Sequence, residues 1–147
     1  MASTTTGVFP CYKNQFQVGP AGSSSTMNQI ANCEEFSVSI DNNVEEWTAF
    51  ESEGWTSRLM TGKGVKISVK AKRTIGDTGN DLIAGLAFKN GTEAEADFQW
   101  TFPDGTKIVF SKAVISVTAL GAGSSTNVGP LEFDVMSNGK PTITPAV

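Results

Sequence analysis

Phe36, Val38 and Ile40 alternate with Ser37, Ser39 and Asp41, and this period of two predicts a half-buried strand. Asp41-Asn42-Asn43 then reads as a turn, with a second strand over about residues 45–50. Gly62 and Gly64 mark the next turn. Beyond it Val65, Ile67, Val69 and Ala71 alternate with Lys66, Ser68, Lys70 and Lys72, a strand with one apolar and one basic face. Residues 94–102 form another strand. Phe98, Trp100 and Phe102 lie on one side; Glu93, Glu95, Asp97, Gln99 and Thr101 lie on the other. Pro103-Asp104-Gly105 is a strong turn signal leading into a long β-branched strand over 106–120, bent at Lys112, so that 94–120 reads as a hairpin. A short strand is expected at 15–18 and a last one at 131–136, followed by an Asn138-Gly139 turn and a proline-containing tail. Residues 19–26 (GPAGSSST) and 121–126 are loops by composition, and 27–33 is either a strand or an irregular connection.

One segment departs from this rhythm. In residues 77–88 (DTGNDLIAGLAF), Leu82, Ile83, Leu86 and Ala87 fall at helical spacing. Thr78, Asn80 or Asp81 is available as a cap, Asn90-Gly91 is a stop, and Gly85 weakens the helix from within. The pattern therefore predicts a mainly β, antiparallel domain of roughly six to eight strands with one flanking helix at about residues 78–88.

The 147 residues suit a single domain, with a flexible N-terminal segment 1–14 and a C-terminal tail 138–147. Charged residues make up 18% of the chain, below the usual share of about a quarter. The formal charge of −4 argues against a duplex-DNA reader, which displaces counterions with a basic surface. No apolar run approaches the ~18 residues of a membrane helix. The N-terminus lacks the basic start and apolar core of a secretion signal, so cytoplasmic synthesis is expected. In that compartment Cys11 and Cys33 read as two reduced thiols.

Catalytic chemistry finds little support. The chain has no histidine, which removes the usual Ser–His–Asp and Cys–His arrangements and the commonest transition-metal ligand. Glu45/Glu46 and Glu93/Glu95 are carboxylate pairs, but solvated acidic strand faces account for them equally simply. Asp41, Asn43 and Glu45 begin like a calcium loop, yet its sixth position is Glu46 instead of Gly and its twelfth is Ser52 instead of Glu. No enzyme, metal or cofactor is expected. Charge is distributed in blocks: residues 34–53 hold Glu34, Glu35, Asp41, Glu45, Glu46, Glu51 and Glu53 with no base. Residues 58–73 hold Arg58, Lys63, Lys66, Lys70, Lys72 and Arg73 with no acid.

Four separated stretches carry a resemblance. VTALGAGSSTNVGPLEFDVMSNGKPTITP (117–145), FQWTFPDGTKIVFSKAVIS (98–116), residues 7–17 and EEWTAFESEGW (45–55) are similar, in order, to phage major tail proteins, also called tail tube proteins, of long-tailed phages with non-contractile tails. The resemblance implies a β-sandwich or partly open barrel with a flanking helix. It implies hexameric rings that stack into a tail tube in the virion, assembled in the bacterial cytoplasm. The implied partners are further copies of the chain, a tape-measure protein, tail-end proteins and transiently passing double-stranded DNA, with no membrane. A tube subunit of a contractile or phage-derived injection device is the neighbouring alternative. A β-sandwich module that binds carbohydrate or another surface is the alternative from a different class.

Two sets of site residues follow. Glu93, Glu95 and Asp97 would face a DNA-conducting lumen and repel phosphate, or else face outer solvent. A loop over 41–55, with Asp41, Glu45, Glu46, Trp47, Glu51, Glu53 and Trp55, would dock on the next ring against the basic block, including Arg58, Lys63 and Lys66. The competing reading pairs the two blocks within one subunit and puts Trp47 in the core.

Overall fold

A computed structural model of the chain describes residues 7–22 and 27–145. Eight strands make one antiparallel sheet: β1 (Gln15–Pro20), β2 (Asn28–Gln29), β3 (Cys33–Trp47), β4 (Ser57–Lys72), β5 (Glu95–Thr101), β6 (Lys107–Leu120), β7 (Pro130–Met136) and β8 (Thr142–Thr144). Their spatial order is β2-β1-β5-β6-β7-β4-β3, with β8 added beside β6. The sheet curls so that β1 and β3, near its two ends, face each other. The Phe16 and Phe36 rings meet edge to face at 4.8 Å, and no ladder joins the two strands among the described residues. The result is a partly open barrel with one helix, α1 (Thr78–Gly85), against it.

The core follows the alternation. Ile67, Val69 and Ala71 of β4 and Leu131, Phe133 and Val135 of β7 are buried, and Phe98 of β5 sits among Phe16, Phe110 and Phe133. Removing a side chain the size of Phe98 would cost about 3–5 kcal/mol through lost transfer energy and an unfilled cavity.

β6 bends where expected. Its first residues pair with β8, its later ones with β7, and Lys112 between them has a left-handed φ of 52°. What holds the bend is Asp97. Its carboxylate accepts from the Lys112 N–H at 2.9 Å and the Gly22 N–H at 3.1 Å. The β5–β6 register shifts between Ala96 and Phe98, so Ala96, Asp97 and Phe98 are buried in succession and strict alternation fails there.

Several boundaries differ from the sequence reading. Asp41-Asn42-Asn43 is not a turn and Gly62 and Gly64 do not mark one: both segments lie inside the continuous β3–β4 ladder. The cross-strand partners Asn42 and Lys63, joined by a side-chain hydrogen bond of 2.9 Å, override local turn preference. The turn itself falls after Trp47, with a 3-10 segment at Phe50–Ser52 and left-handed Glu53 and Gly54. The helix cap is Asp77, whose carboxylate accepts from Asn80 N. Asn80 is buried inside the first turn, bonding Arg73, Thr74 and Lys72. Gly79 is required because a Cβ there would lie 2.5 Å from the Gln29 carbonyl oxygen. The helix stops at Gly85 instead of reaching residue 88, and Phe88 is exposed. The expected tail at 138–147 contains β8, paired with residues 107–109. Of the N-terminal segment 1–14, Phe9 packs its ring on Phe102 and Cys11–Lys13 form a 3-10 turn, while residues 1–6 lie outside the described residues, as do 23–26 of the first loop.

Candidate assembly surface

The distal halves of β3 and β4 leave the body. β4 is flanked by β7 only over 66–72, so residues 57–64 pair with β3 alone, and 40–47 have no strand on their outer side among the described residues. At a rise of about 3.3 Å per residue this arm extends roughly 25 Å.

The alternation does not stop where burial does. Beyond the core pairs Phe36–Val69 and Val38–Ile67, the same face continues as Ile40–Val65, Asn42–Lys63, Val44–Met60 and Glu46–Arg58. A β-bulge after Asn43 places Thr61 as the extra residue, so Met60 stays opposite Val44. Ile40, Val44, Leu59 and Met60 are all exposed. Trp47 ends the strand with 48% of its surface exposed, Trp55 has 79%, and Phe50 between them is fully exposed. Trp47 is thus not a core residue. The turn is nevertheless ordered by its own bonds: Ser52 Oγ donates to the Ala49 carbonyl at 2.7 Å, and Trp55 N to the Ser52 carbonyl at 3.0 Å.

The two charge blocks pair in part within the chain, because β3 and β4 are ladder neighbours. Arg58 meets Glu46 at 2.7 Å, Lys70 meets Glu35 at 3.8 Å, and Lys72 meets Glu34 at 3.3 Å; Lys66 turns to Asp134 of β7 at 3.6 Å. Such exposed pairs contribute about 0.2–1 kcal/mol each and do not explain the arm. Among the described residues, Asp41, Glu45, Glu51 and Glu53 have no cationic partner within ion-pair distance. The nominated stacking residues therefore separate: Arg58 and Lys66 are engaged internally and Lys63 bonds Asn42, whereas the acids and aromatics of the turn stay open.

Glu93, Glu95 and Asp97 do not share a face. Glu93 is exposed in a 3-10 turn (Gly91–Ala94) ahead of β5, and Glu95 is half-buried and accepts from the Asn138 side-chain amide at 3.3 Å. Asp97 is corrected outright: at 1% exposure it points inward, because the bulge turns it towards the Lys112 and Gly22 amides. Sequence reasoning missed this role; the bend inferred at Lys112 was the available signal that some acceptor must satisfy its N–H.

Chemical sites are sparse. Among the described residues no group of three or more Cys, Asp or Glu side chains is placed to hold a metal ion, and no helix is long and apolar enough to cross a membrane. Cys11 and Cys33 are free thiols that line one cleft of about 400 Å³ between β1 and β3. Burial, and then the charge of Asp77, pushes the Cys33 thiol up to about 11. Asp104 is held below the ordinary carboxylate range by the Thr106 backbone N–H, as expected of a turn residue.

Solved structures with this architecture exist. A chain from the tail of an empty gene transfer agent particle, refined helically with C6 symmetry, superposes with a TM-score of 0.73 at 18% identity, over 94% of this chain and all (100%) of that one. A chain from the virion of a native gene transfer agent gives 0.70 at 19% identity, over 94% and 100%. A chain from the extended sheath-tube complex of an extracellular contractile injection system gives 0.61 at 18% identity, over 99% and 100%. No protein-family model and no curated protein sequence matches the chain. The common element is the fold, over nearly the whole chain: it has the fold seen in these tail and tube structures.

Proposed function

We propose that this protein is a structural tube subunit: copies form hexameric rings, and the rings stack into the tail tube of a phage-like particle, a conduit for genome delivery. The observation that supports it most is the uncovered arm. A two-stranded ribbon is marginal in water by itself, and this one exposes Trp47, Phe50, Trp55, Leu59 and Met60 on a fold otherwise met in tails and tubes. A second subunit would cover those residues. Because the arm differs from whatever surface receives it, the contact is heterologous and open-ended, as a growing tube needs.

The sequence resemblance favours a long non-contractile tail, with a tape-measure protein and tail-end proteins as further partners; the TM-scores of 0.73 and 0.70 with chains of gene transfer agent particles support a tail component. The tube of a contractile injection device is the second reading, favoured by the 99% coverage in the sheath-tube comparison. A sheath protein binding along the outside of the assembled tube would move the assignment there. Glu93, exposed beside half-buried Glu95, is the residue we place towards a lumen carrying DNA; unchanged ejection after Glu93→Gln with Glu95→Gln would remove that role.

The direct test is negative-stain microscopy of the concentrated protein. Hollow tubes or rings of about one subunit's thickness are expected. Replacing residues 49–55 by an Asn-Gly turn should leave rings but no tubes, whereas tubes of normal length would show that the arm tip is not the stacking element.

A further inference from the structure

We propose that the arm tip of one copy seats in the groove between the segment following α1 and the β6–β7 ladder of a second copy. This rests on the tube-subunit reading and names the receiving surface that the reading leaves open.

The tip presents two exposed aromatic rings, Phe50 and Trp55, with Glu51 and Glu53 between them, neither of which has a cationic partner among the described residues. The receiving site must therefore offer apolar contact, room for an aromatic side chain, and positive charge at its edge. The groove offers these: it has a volume of about 660 Å³, and Leu86, Val114, Val117 and Met136 give apolar contact within a lining that is about half polar, with Asn90, Thr92 and Ser116 beside them. Ligand-sized pockets span roughly 300–1,000 Å³. Lys89 stands on its wall, exposed and without a carboxylate partner among the described residues; Lys112, in the same condition, lies two residues before Val114. Glu95 also borders the groove, its carboxylate accepting from the neutral Asn138 amide, so the seat depends on Lys89 and Lys112 outweighing one carboxylate.

The alternative seat is less suited by charge. The cleft between β1 and β3 has aromatic walls in Tyr12, Phe16 and Phe36, yet no lysine or arginine lines it, and its two acids, Glu34 and Glu35, already hold Lys72 and Lys70. It offers an acidic tip no unpaired cation. A tip-to-arm contact is disfavoured for the same reason: Arg58 is paired with Glu46, Lys63 is hydrogen-bonded to Asn42, and the arm's remaining acids would face the tip's acids. Among the described residues, the lysines without a carboxylate partner other than Lys63 lie on the body: Lys13, Lys89, Lys107, Lys112 and Lys140. Each buried aromatic removes about 150–250 Å² from water, so the rings supply contact area while the charges set orientation.

The test is a reciprocal charge exchange in the full chain, read as the protein concentration at which tubes appear by microscopy and sedimentation. Glu51→Lys alone and Lys89→Glu alone should each raise that concentration about tenfold, with rings retained, and the double variant should recover most of the loss. Circular dichroism should show every variant folded, as both positions are exposed; Lys89→Gln, with a smaller rise, serves if the reversal misfolds. Lys89 variants that form tubes as readily as the wild type, or a double variant no better than the singles, would overturn the seat and leave the tube reading standing. A wild-type protein that forms neither rings nor tubes at any concentration would overturn both.

Discussion

The body and the arm are made from the same two strands and follow the same alternation, yet only the body buries it. In β4, Ile67, Val69 and Ala71 are at 2% exposure or less, while Met60, on the same face beyond the bulge, is at 45%. Residue type does not separate them. What separates them is cover: Ile67 and Val69 belong to one core cluster with Phe16, Phe98 and Phe110 of the curled sheet, whereas among the described residues 57–64 have no strand neighbour but β3. An apolar strand face therefore predicts that something will cover it, and the structure tells whether the cover is the same molecule or another.

Substitutions should break this contrast in a graded way. The largest effect is expected in the body: Phe98→Ala should lower unfolding free energy by about 3–5 kcal/mol in urea titration, whereas Trp47→Ala on the arm should change it by less than ~0.5 kcal/mol and abolish or shorten tubes. Equal destabilisation by both would mean that the arm folds back on the body in solution. Next comes the bend. Asp97→Ala leaves two part-buried N–H groups, those of Gly22 and Lys112, without their acceptor and should cost about 1–3 kcal/mol, visible as a lower urea midpoint with an unchanged slope. Asp77→Ala removes the α1 cap and should cost about 1 kcal/mol by the same measurement. On the arm, Arg58→Ala breaks the exposed pair with Glu46 and should cost under ~1 kcal/mol, an effect that salt should erase.

The cysteines sharpen the contrast between surface and interior without altering stability. Cys11 is exposed, whereas Cys33 is protonated up to pH about 11 because burial disfavours its thiolate. At pH 8 a thiol reagent should label Cys11 and leave Cys33 until the protein is unfolded. Equal rates at both positions would show that the cleft between β1 and β3 opens in solution.

Much of this could be read from the chain. The period of two in 36–40, 65–71 and 98–102, the Pro103-Asp104-Gly105 turn, the bend at Lys112 and the helix, expected at about 78–88 and found at 78–85, are local properties, set by side-chain alternation and backbone preference over a few residues. The mainly β class with one helix follows from them. What local pattern does not contain is which strand meets which. Asp41-Asn42-Asn43 became strand because Lys63, Gly62 and Gly64 lie opposite, and Asp97 turned inward because a bulge re-aimed it at two amides distant in sequence. The acidic and basic blocks were plain as blocks. Their partial cancellation along the β3–β4 ladder, which leaves Asp41, Glu45, Glu51 and Glu53 over, appeared only with register. Alternation and composition are properties of neighbours along the chain, and these the sequence determines alone. Burial, pairing and the choice of partner depend on contacts between distant segments, which only the tertiary structure decides.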